Sequence, residues 1–186
     1  MPTLFRYLQP QMTAKEIYES VTNGGASDFA TVAEILDRHG PWCLIGGLAV
    51  NCYVEPVYTI DADIVVVAQK LATIADELRG AGFRLEQFAH SLNAIKAPGK
   101  LNVQFTQDER YQSFLTRAKP QEVLGQTVPV AHLNDIVQGK VWAWSDEKRR
   151  PTKRKKDELD LMRIAEAHPQ LRHLIPNEIV SQLGSA

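Results

Sequence analysis

The stretch WCLIGGLAVNCYVEPVYTIDADIVVV, residues 42–67, decides the fold of this chain of 186 residues. It contains two apolar segments, and each adjoins a feature that a buried strand by itself does not need. The first segment ends in the glycine pair Gly46-Gly47, and the second follows two aspartates, Asp61 and Asp63, that are one residue apart. The stretch therefore predicts two strands whose ends meet at a site for charged groups.

The two aspartates point to a cation. Successive side chains of a strand alternate between faces, so Asp61 and Asp63 are predicted to share one face. The four aliphatic residues 64–67 that follow predict a strand that enters the core. Two carboxylates on one face repel each other unless a positive charge lies between them, and carboxylate oxygens are preferred ligands of hard cations. A solvated strand end with two exposed acids is the simpler alternative.

The glycine pair points to a phosphate group. A strand that ends in two glycines and continues as a helix lets backbone N–H groups approach a phosphate without obstruction by side chains. We therefore predict that Gly46 and Gly47 contact phosphate oxygens. A plain turn would use the same two residues, so the pair gains weight only together with the aspartates downstream.

The composition is that of an ordinary globular protein. The chain is 44% hydrophobic and 23% charged, and its net charge of −1 predicts no general attraction to nucleic acid or to a membrane. Its two cysteines, Cys43 and Cys52, lie in apolar surroundings and are expected to be free thiols. No apolar stretch approaches the ~20 residues that span a bilayer, and no signal-peptide pattern begins the chain. We therefore expect a cytoplasmic protein.

The periodicity predicts a mixed α/β domain over residues 1–130 and a helical segment over residues 131–186 that packs on it. The predicted strands are 42–45, 59–67, 83–88, 92–95, 101–105 and a short edge strand at 128–130. Two predicted helices begin at Thr13 and at Asp157, and a third follows a cap at Ser27. Four further helices are predicted over residues 48–54, 70–80, 109–117 and 133–144.

The order of these features resembles the signature of a known superfamily. Gly46-Gly47 followed by Asp61-Ala62-Asp63 resembles the signature of the nucleotidyltransferases related to DNA polymerase β, most closely the small bacterial minimal and abortive-infection types. The stretches VPVAHLNDIVQGKVWA and KRKKDELDLMRI are similar to the helical segment that follows the catalytic sheet in those proteins. The resemblance covers about residues 30–167 and implies a mixed β-sheet flanked by helices, with a C-terminal helical segment.

The resemblance also implies roles for individual residues. Gly46 and Gly47 would hold a nucleoside triphosphate through backbone amides, and Asp61 and Asp63 would bind Mg²⁺ or Mn²⁺. The superfamily places a third carboxylate on a later strand, but the matching segment LNVQF contains no acid and has Asn102 at the equivalent position. An amide oxygen can ligate a metal but cannot act as a base at neutral pH.

Two functions follow from the resemblance. The first is a metal-dependent enzyme that transfers a nucleoside monophosphate from a triphosphate to a hydroxyl group on a protein, a tRNA or a small molecule. The second is a catalytically impaired protein of the same fold that binds nucleotide, RNA or a partner protein, as in a toxin–antitoxin or phage-defence pair. An unrelated α/β domain with an accidental match is the third possibility.

Basic residues in the helical segment are further candidates for phosphate binding. Lys140 is predicted to lie within a helix and to reach the nucleotide. The stretch KRRPTKRKK, residues 148–156, is either a phosphate-binding strip or a solvated loop between helices. Asp157 and Asp160 share a predicted helix face, where helix capping and an i,i+4 ion pair between Lys156 and Asp160 are favoured over metal binding.

Overall fold

A computed structural model describes residues 13–184 of the chain. Within these residues the central element is a mixed β-sheet with seven strands. The strands are β1 (Trp42–Ile45), β2 (Asp61–Val66), β3 (Arg84–Gln87), β4 (Ser91–Ile95), β5 (Asn102–Thr106), β6 (Lys119–Val123) and β7 (Gln126–Val130). Their order across the sheet is β3-β4-β5-β2-β1-β7-β6.

The three central strands bring the conspicuous residues of the sequence together. Strand β2 runs antiparallel to β1, and Asp63 lies opposite Ile45, the residue before the glycine pair. On its other side β2 runs parallel to β5, which places Asn102 opposite Asp61 and Gln104 opposite Asp63. One edge of the sheet therefore carries the glycine turn, both acids and two amides.

Helices surround the sheet. They are α1 (Ala14–Thr22), α2 (Gly25–Asp37), α3 (Gly46–Val50), α4 (Leu71–Gly80), α5 (Leu133–Ser145), α6 (Pro151–Ala167) and α7 (Asn177–Val180), with short 3-10 segments between several of them. Helix α1 begins with a capping box, since the Thr13 hydroxyl accepts from the backbone of Glu16 and the Glu16 carboxylate accepts from that of Thr13. Helix α5 packs against both α6 and α3.

One hydrophobic core extends from the sheet into the C-terminal helices. Phe29, Phe105 and Leu36 are fully buried in it, and so are Leu161 and Ile164 of α6. The core thus joins α6 to the sheet, as expected for a helical segment that packs on the α/β body. The boundary at residue 130 stays a prediction. Cys43 and Cys52 are free, as expected.

The predicted edge strand at 128–130 was wrong in its position. Strand β7 lies inside the sheet, between β1 and β6, and β6 is the strand that the sequence did not predict. Proline is tolerated there because β7 pairs with β1 only through Val130, opposite Leu44, so Pro129 need not donate to that strand. On the other side Pro129 lies opposite Pro120.

Two helix starts also differ from the prediction. Helix α2 begins at Gly25, so Ser27, the predicted cap, lies inside the helix, and its hydroxyl donates to Glu19 of α1. Helix α6 begins at Pro151 rather than at Asp157, because proline fits the first position of a helix. Arg150 is the cap residue of this helix. Residues 151–156 of the basic stretch are therefore helical.

The architecture confirms the predicted fold class, a mixed α/β sheet flanked by helices and followed by a helical segment. No helix in the described part of the chain is both long and apolar enough to cross a membrane.

Candidate active site

The carboxylate of Asp63 and the backbone of Gly46 form the centre of the site. Gly46 has a φ of +70°, which L-residues with a side chain rarely adopt. A Cβ atom at this position would also collide with the Asp63 side chain, lying 2.7 Å from its Cγ. Both the backbone conformation and the close approach of the acid therefore require glycine at residue 46.

Gly47 is under a weaker constraint. A Cβ atom there would meet only Thr59, at 3.5 Å, which is an ordinary van der Waals contact. The structure therefore distinguishes the two glycines: Gly46 is needed to accommodate Asp63, whereas Gly47 has space beside it.

Asp61 is held by two hydrogen-bond donors. Lys153 of α6 donates from Nζ to Asp61 Oδ2 at 2.8 Å, and Asn102 donates from Nδ2 to Asp61 Oδ1 at 3.1 Å. Partial burial of Asp61 would raise its pKa, but the two hydrogen bonds and the charge of Lys153 outweigh it and lower the pKa. Asp61 is therefore ionised at neutral pH.

Asp63 has the opposite environment. Burial raises the pKa of Asp63 to about 6, with the charge of Lys140 opposing the rise and that of Asp61 adding to it. No salt bridge joins Asp63 to a basic residue within residues 13–184. A desolvated carboxylate without an ion-pair partner is the kind of group that a cation would stabilise.

Strand β5 presents amides where the superfamily resemblance expects an acid. The Asn102 amide turns its nitrogen toward Asp61, and its oxygen accepts from Asn93 Nδ2 at 3.2 Å. Gln104, which the sequence did not single out, lies opposite Asp63 and lines the same site. Metal ligation by Asn102 stays a prediction, and it would need the amide to turn over.

Lys140 lies in a buried ion network between α5 and α6. Its Nζ is 2.9 Å from Asp157 Oδ1 and 2.7 Å from Asp160 Oδ2. Arg149 also binds Asp157, at 2.7 Å, and Arg163 binds Asp160, at 2.7 Å. The ion pairing predicted for Asp160 is thus present, although Lys140 and Arg163 are its partners rather than Lys156. Whether Lys140 also contacts nucleotide stays a prediction.

Two cavities meet at Asp63. The smaller, of about 140 Å³, contains Gly47, Asp61 and the basic side chains of Lys153 and Lys156. The larger, of about 640 Å³, extends from Gly46 past aromatic and polar side chains. Five residues line both cavities: Asp63, Gln104, Lys140, Arg149 and Asp157.

Aromatic side chains form one wall of the larger cavity. Trp142 stacks on Phe114, with ring centroids 5.9 Å apart, and meets Tyr111 edge to face at 5.4 Å. Arg110 lies over the Trp142 ring at 4.7 Å. The Asp108 carboxylate forms an ion pair with the Arg110 guanidinium, at 2.5 Å. The cavity thus combines an apolar surface with charged groups at its mouth.

The oxygen atoms at this edge of the sheet fit a hard divalent cation. Asp61 and Asp63 supply carboxylates, Gln104 lies beside them, and Asp63 lacks an ion-pair partner. This group of ligands contains two carboxylates, one fewer than a site with three acids. No group of three or more His, Cys, Asp or Glu residues in the described part of the chain could hold a metal by itself.

Comparison with solved structures identifies the fold: the chain has the fold of the nucleotidyltransferase superfamily. It is similar to ANT(2")-Ia in complex with adenylyl-2"-tobramycin, with a TM-score of 0.59 and 14% identity, over 86% of this chain and 98% of that one. It is also similar to the lincosamide antibiotic adenylyltransferase LnuA, lincomycin-bound, with a TM-score of 0.53 and 11% identity, over 76% and 96% of the two chains.

A third similar structure is an antigenic nucleotidyltransferase-like protein from Paracoccidioides brasiliensis, with a TM-score of 0.53 and 16% identity, over 82% of this chain and 92% of that one. The sequence matches no protein-family model, and it matches no curated protein closely enough to assign a relative. At these identities the likeness is one of fold.

Proposed function

We propose that this protein is a metal-dependent nucleotidyltransferase that transfers a nucleoside monophosphate from a nucleoside triphosphate to a hydroxyl group of a small molecule. One observation carries the proposal. Asp63 lies against the backbone of Gly46, and Asp61 precedes Asp63 by two residues on β2, where a small, highly charged cavity meets a large, partly aromatic one. A reaction between a polyphosphate and an organic acceptor needs this arrangement.

Asp63 would hold the Mg²⁺ or Mn²⁺ ion, and Asp61, which already accepts from Lys153 and Asn102, would add negative charge beside it. Such an ion, when bound, neutralises charge on the phosphate that reacts and favours ionisation of the attacking hydroxyl. The residues around it position the two substrates, because proximity and orientation supply much of the rate in phosphoryl and nucleotidyl transfer.

The triphosphate belongs in the smaller cavity. Lys153, Lys156 and Arg149 supply cationic groups that can contact phosphate oxygens, and the backbone of Gly46 and Gly47 can donate to phosphate oxygens at its border. Lys140 lies at the same border and would add a further positive charge, although its two aspartate partners already neutralise most of that charge.

The acceptor belongs in the larger cavity. A volume of about 640 Å³ is in the range of small-molecule sites, which favours a small molecule over a protein or tRNA as the acceptor. Trp142 and Tyr111 offer apolar contact, whereas Asp146 would attract a cationic or polyhydroxylated compound. The similar structures with lincomycin and with an adenylylated tobramycin support this choice of acceptor class.

The test is direct. The protein is incubated with each ribonucleoside triphosphate labelled in the α-phosphate, with Mg²⁺ or Mn²⁺, and with small polyhydroxylated compounds, tRNA or proteins as acceptors. We expect label on a small molecule, released pyrophosphate, and loss of both in Asp63→Asn. Transfer to tRNA or protein would contradict the small-molecule assignment.

The amides of β5 favour a second candidate, a protein that binds nucleotide without transferring it. Neither Asn102 nor Gln104 can take a proton from a hydroxyl group at neutral pH. Binding of nucleotide and metal without label transfer in the same assay would support this candidate, and absence of nucleotide binding would contradict both. A toxin–antitoxin or phage-defence setting stays a prediction.

A further inference from the structure

Both oxygens of Asp61 are already occupied by protein donors. Lys153 Nζ lies 2.8 Å from Oδ2, and Asn102 Nδ2 lies 3.1 Å from Oδ1. The Lys153 side chain is 38% exposed and that of Asp61 is 20% exposed, so the pair is at the surface of the smaller cavity. A cation bound to Asp61 would have to displace this ammonium group.

The charge around the acids is correspondingly small. The four aspartates that line the smaller cavity are matched by four basic side chains, Lys140, Arg149, Lys153 and Lys156, so the cavity has little net charge before a nucleotide binds. The facing residues Asn102 and Gln104 are neutral. The negative charge that a divalent cation balances would therefore come mainly from the triphosphate, which suits one cation.

Lys153, which contacts Asp61, lies on a helix that is packed firmly on the rest of the protein. Residue 153 is in the first turn of the helix, behind Pro151, and its backbone donates to Arg150. Helix α6 is fixed to the rest of the protein by buried Leu161 and Ile164 and by the ion network at Asp157. The ammonium group therefore reaches Asp61 from a rigid element.

We propose that the ammonium group of Lys153 takes the place of a second divalent cation, so that the site holds one Mg²⁺ or Mn²⁺ ion, at Asp63, when nucleotide is bound. Lys153 stays on Asp61 and turns its remaining donors toward the phosphates in the same cavity. This inference rests on the proposed function to the extent that it needs nucleotide binding, but it does not need turnover.

The experiment counts bound Mn²⁺ ions. Free Mn²⁺ is measured by electron paramagnetic resonance while it is titrated into protein saturated with α,β-methylene-ATP, and bound nucleotide is measured in the same samples by equilibrium dialysis. We expect one Mn²⁺ ion per bound nucleotide in the wild type and two in Lys153→Met, which has a similar length but no charge. Circular dichroism checks that each variant is folded. If Lys153→Met does not fold, Lys153→Gln takes its place in the titration.

Lys155→Met is the matched control. It removes the same charge from the same helix, but Lys155 is 76% exposed and binds Glu158 rather than Asp61. We expect it to bind one Mn²⁺ ion, as the wild type does. Two ions in the wild type, or one ion in folded Lys153 variants, would overturn the inference while nucleotide binding stands. No nucleotide binding at all would overturn it together with the proposed function.

Discussion

Asp63 lies against the backbone of Gly46, so close that a Cβ atom at residue 46 would be 2.9 Å from the Asp63 Cβ and 2.7 Å from its Cγ. The glycine of the turn and the acid of the next strand are therefore one structural unit. Because residue 46 has no side chain, the Asp63 carboxylate has room beside its backbone. The antiparallel pairing of Ile45 with Asp63 brings the glycine turn and β2 together.

This relationship predicts different effects at the two glycines. Gly46→Ala should displace Asp63 and strain the backbone, because residue 46 has a positive φ, and should cost about 1–3 kcal/mol of stability. Nucleotidyl transfer should be lost with it. Gly47→Ser should fold normally and keep most of the activity, because there is space beside Thr59. Thermal unfolding and label transfer measure both effects. Equal loss in the two variants would contradict the prediction.

Asp63→Asn should separate stability from function. Ionisation of Asp63 at neutral pH destabilises the folded protein relative to the unfolded chain, because burial raises the pKa of Asp63 from 3.8 to about 6. Removing the charge should therefore stabilise the metal-free protein by about 1–3 kcal/mol. Transfer should fall on the order of 1,000-fold, because the metal loses a carboxylate. Urea unfolding and label transfer are the measurements, with exposed Asp76→Asn on α4 as the control for both.

The pH dependence of stability has a definite sign at Asp63. The folded protein keeps the Asp63 proton up to about pH 6, whereas the unfolded chain releases it near 3.8. The folded state thus binds more protons in this window, so the Asp63 contribution to the free energy of unfolding falls as pH rises from about 4 to about 6. Asp63→Asn should lack this component in urea unfolding at a series of pH values. Parallel curves for the two proteins would disprove the assignment.

Metal binding should have the opposite dependence on pH. A proton and a divalent cation compete for the Asp63 carboxylate, so the affinity for Mn²⁺ should fall about tenfold for each pH unit below about 6. The stabilisation that Mn²⁺ provides in thermal unfolding should accordingly be larger at pH 7.5 than at pH 5. Equal stabilisation at both values would show that the ion binds elsewhere.

Lys140→Met tests whether this lysine has a structural role. The substitution removes the cation that Asp157 and Asp160 share and leaves each carboxylate with one arginine, which should cost about 1.5–3 kcal/mol. Adding Asp160→Asn should recover part of the loss, since it removes one of the two carboxylates that Lys140 neutralises. Unfolding by urea measures both variants, and nucleotide affinity is measured at a temperature where each is folded. If stability is unchanged and only affinity falls, phosphate binding is the main role.

Asn102→Asp tests the missing acid of β5. A carboxylate at this position faces Asp61 across the parallel pairing and could accept a proton from a hydroxyl group. If the amide limits catalysis, the label-transfer rate should rise roughly tenfold or more. Asn177→Asp, at the exposed start of α7, is the control. A rate that stays the same or falls in Asn102→Asp would show that proton transfer to this position does not limit the reaction.

Much of the site follows from local sequence. The alternation of side chains along a strand places Asp61 and Asp63 on one face, and the glycine pair marks the turn before α3. Asn102 was predicted because the superfamily resemblance expects an acid at its position in the segment 101–105. Gln104 was missed because no acid or unusual spacing distinguishes it, although the alternation of side chains along the strand places it on the same face as Asn102.

The partners of these residues could not be predicted in the same way. Lys153 was one of several basic residues in a stretch that a solvated loop explains equally well, and it meets Asp61 across 92 positions of sequence. The aromatic wall at Tyr111 and Trp142 likewise comes from two segments far apart in the chain. Such contacts depend on how helices are oriented on the sheet, which no periodicity encodes.

The sequence by itself thus determined the unit that local backbone geometry produces: a strand, a glycine turn, and two acids on one face of the next strand. The tertiary structure decided the electrostatics of that unit. It paired Asp61 with Lys153, left Asp63 desolvated without an ion-pair partner, and committed Lys140 to two aspartates. The physical reason is that the state of a carboxylate depends on the charges and solvent within a few ångströms of it, and packing between distant segments sets both.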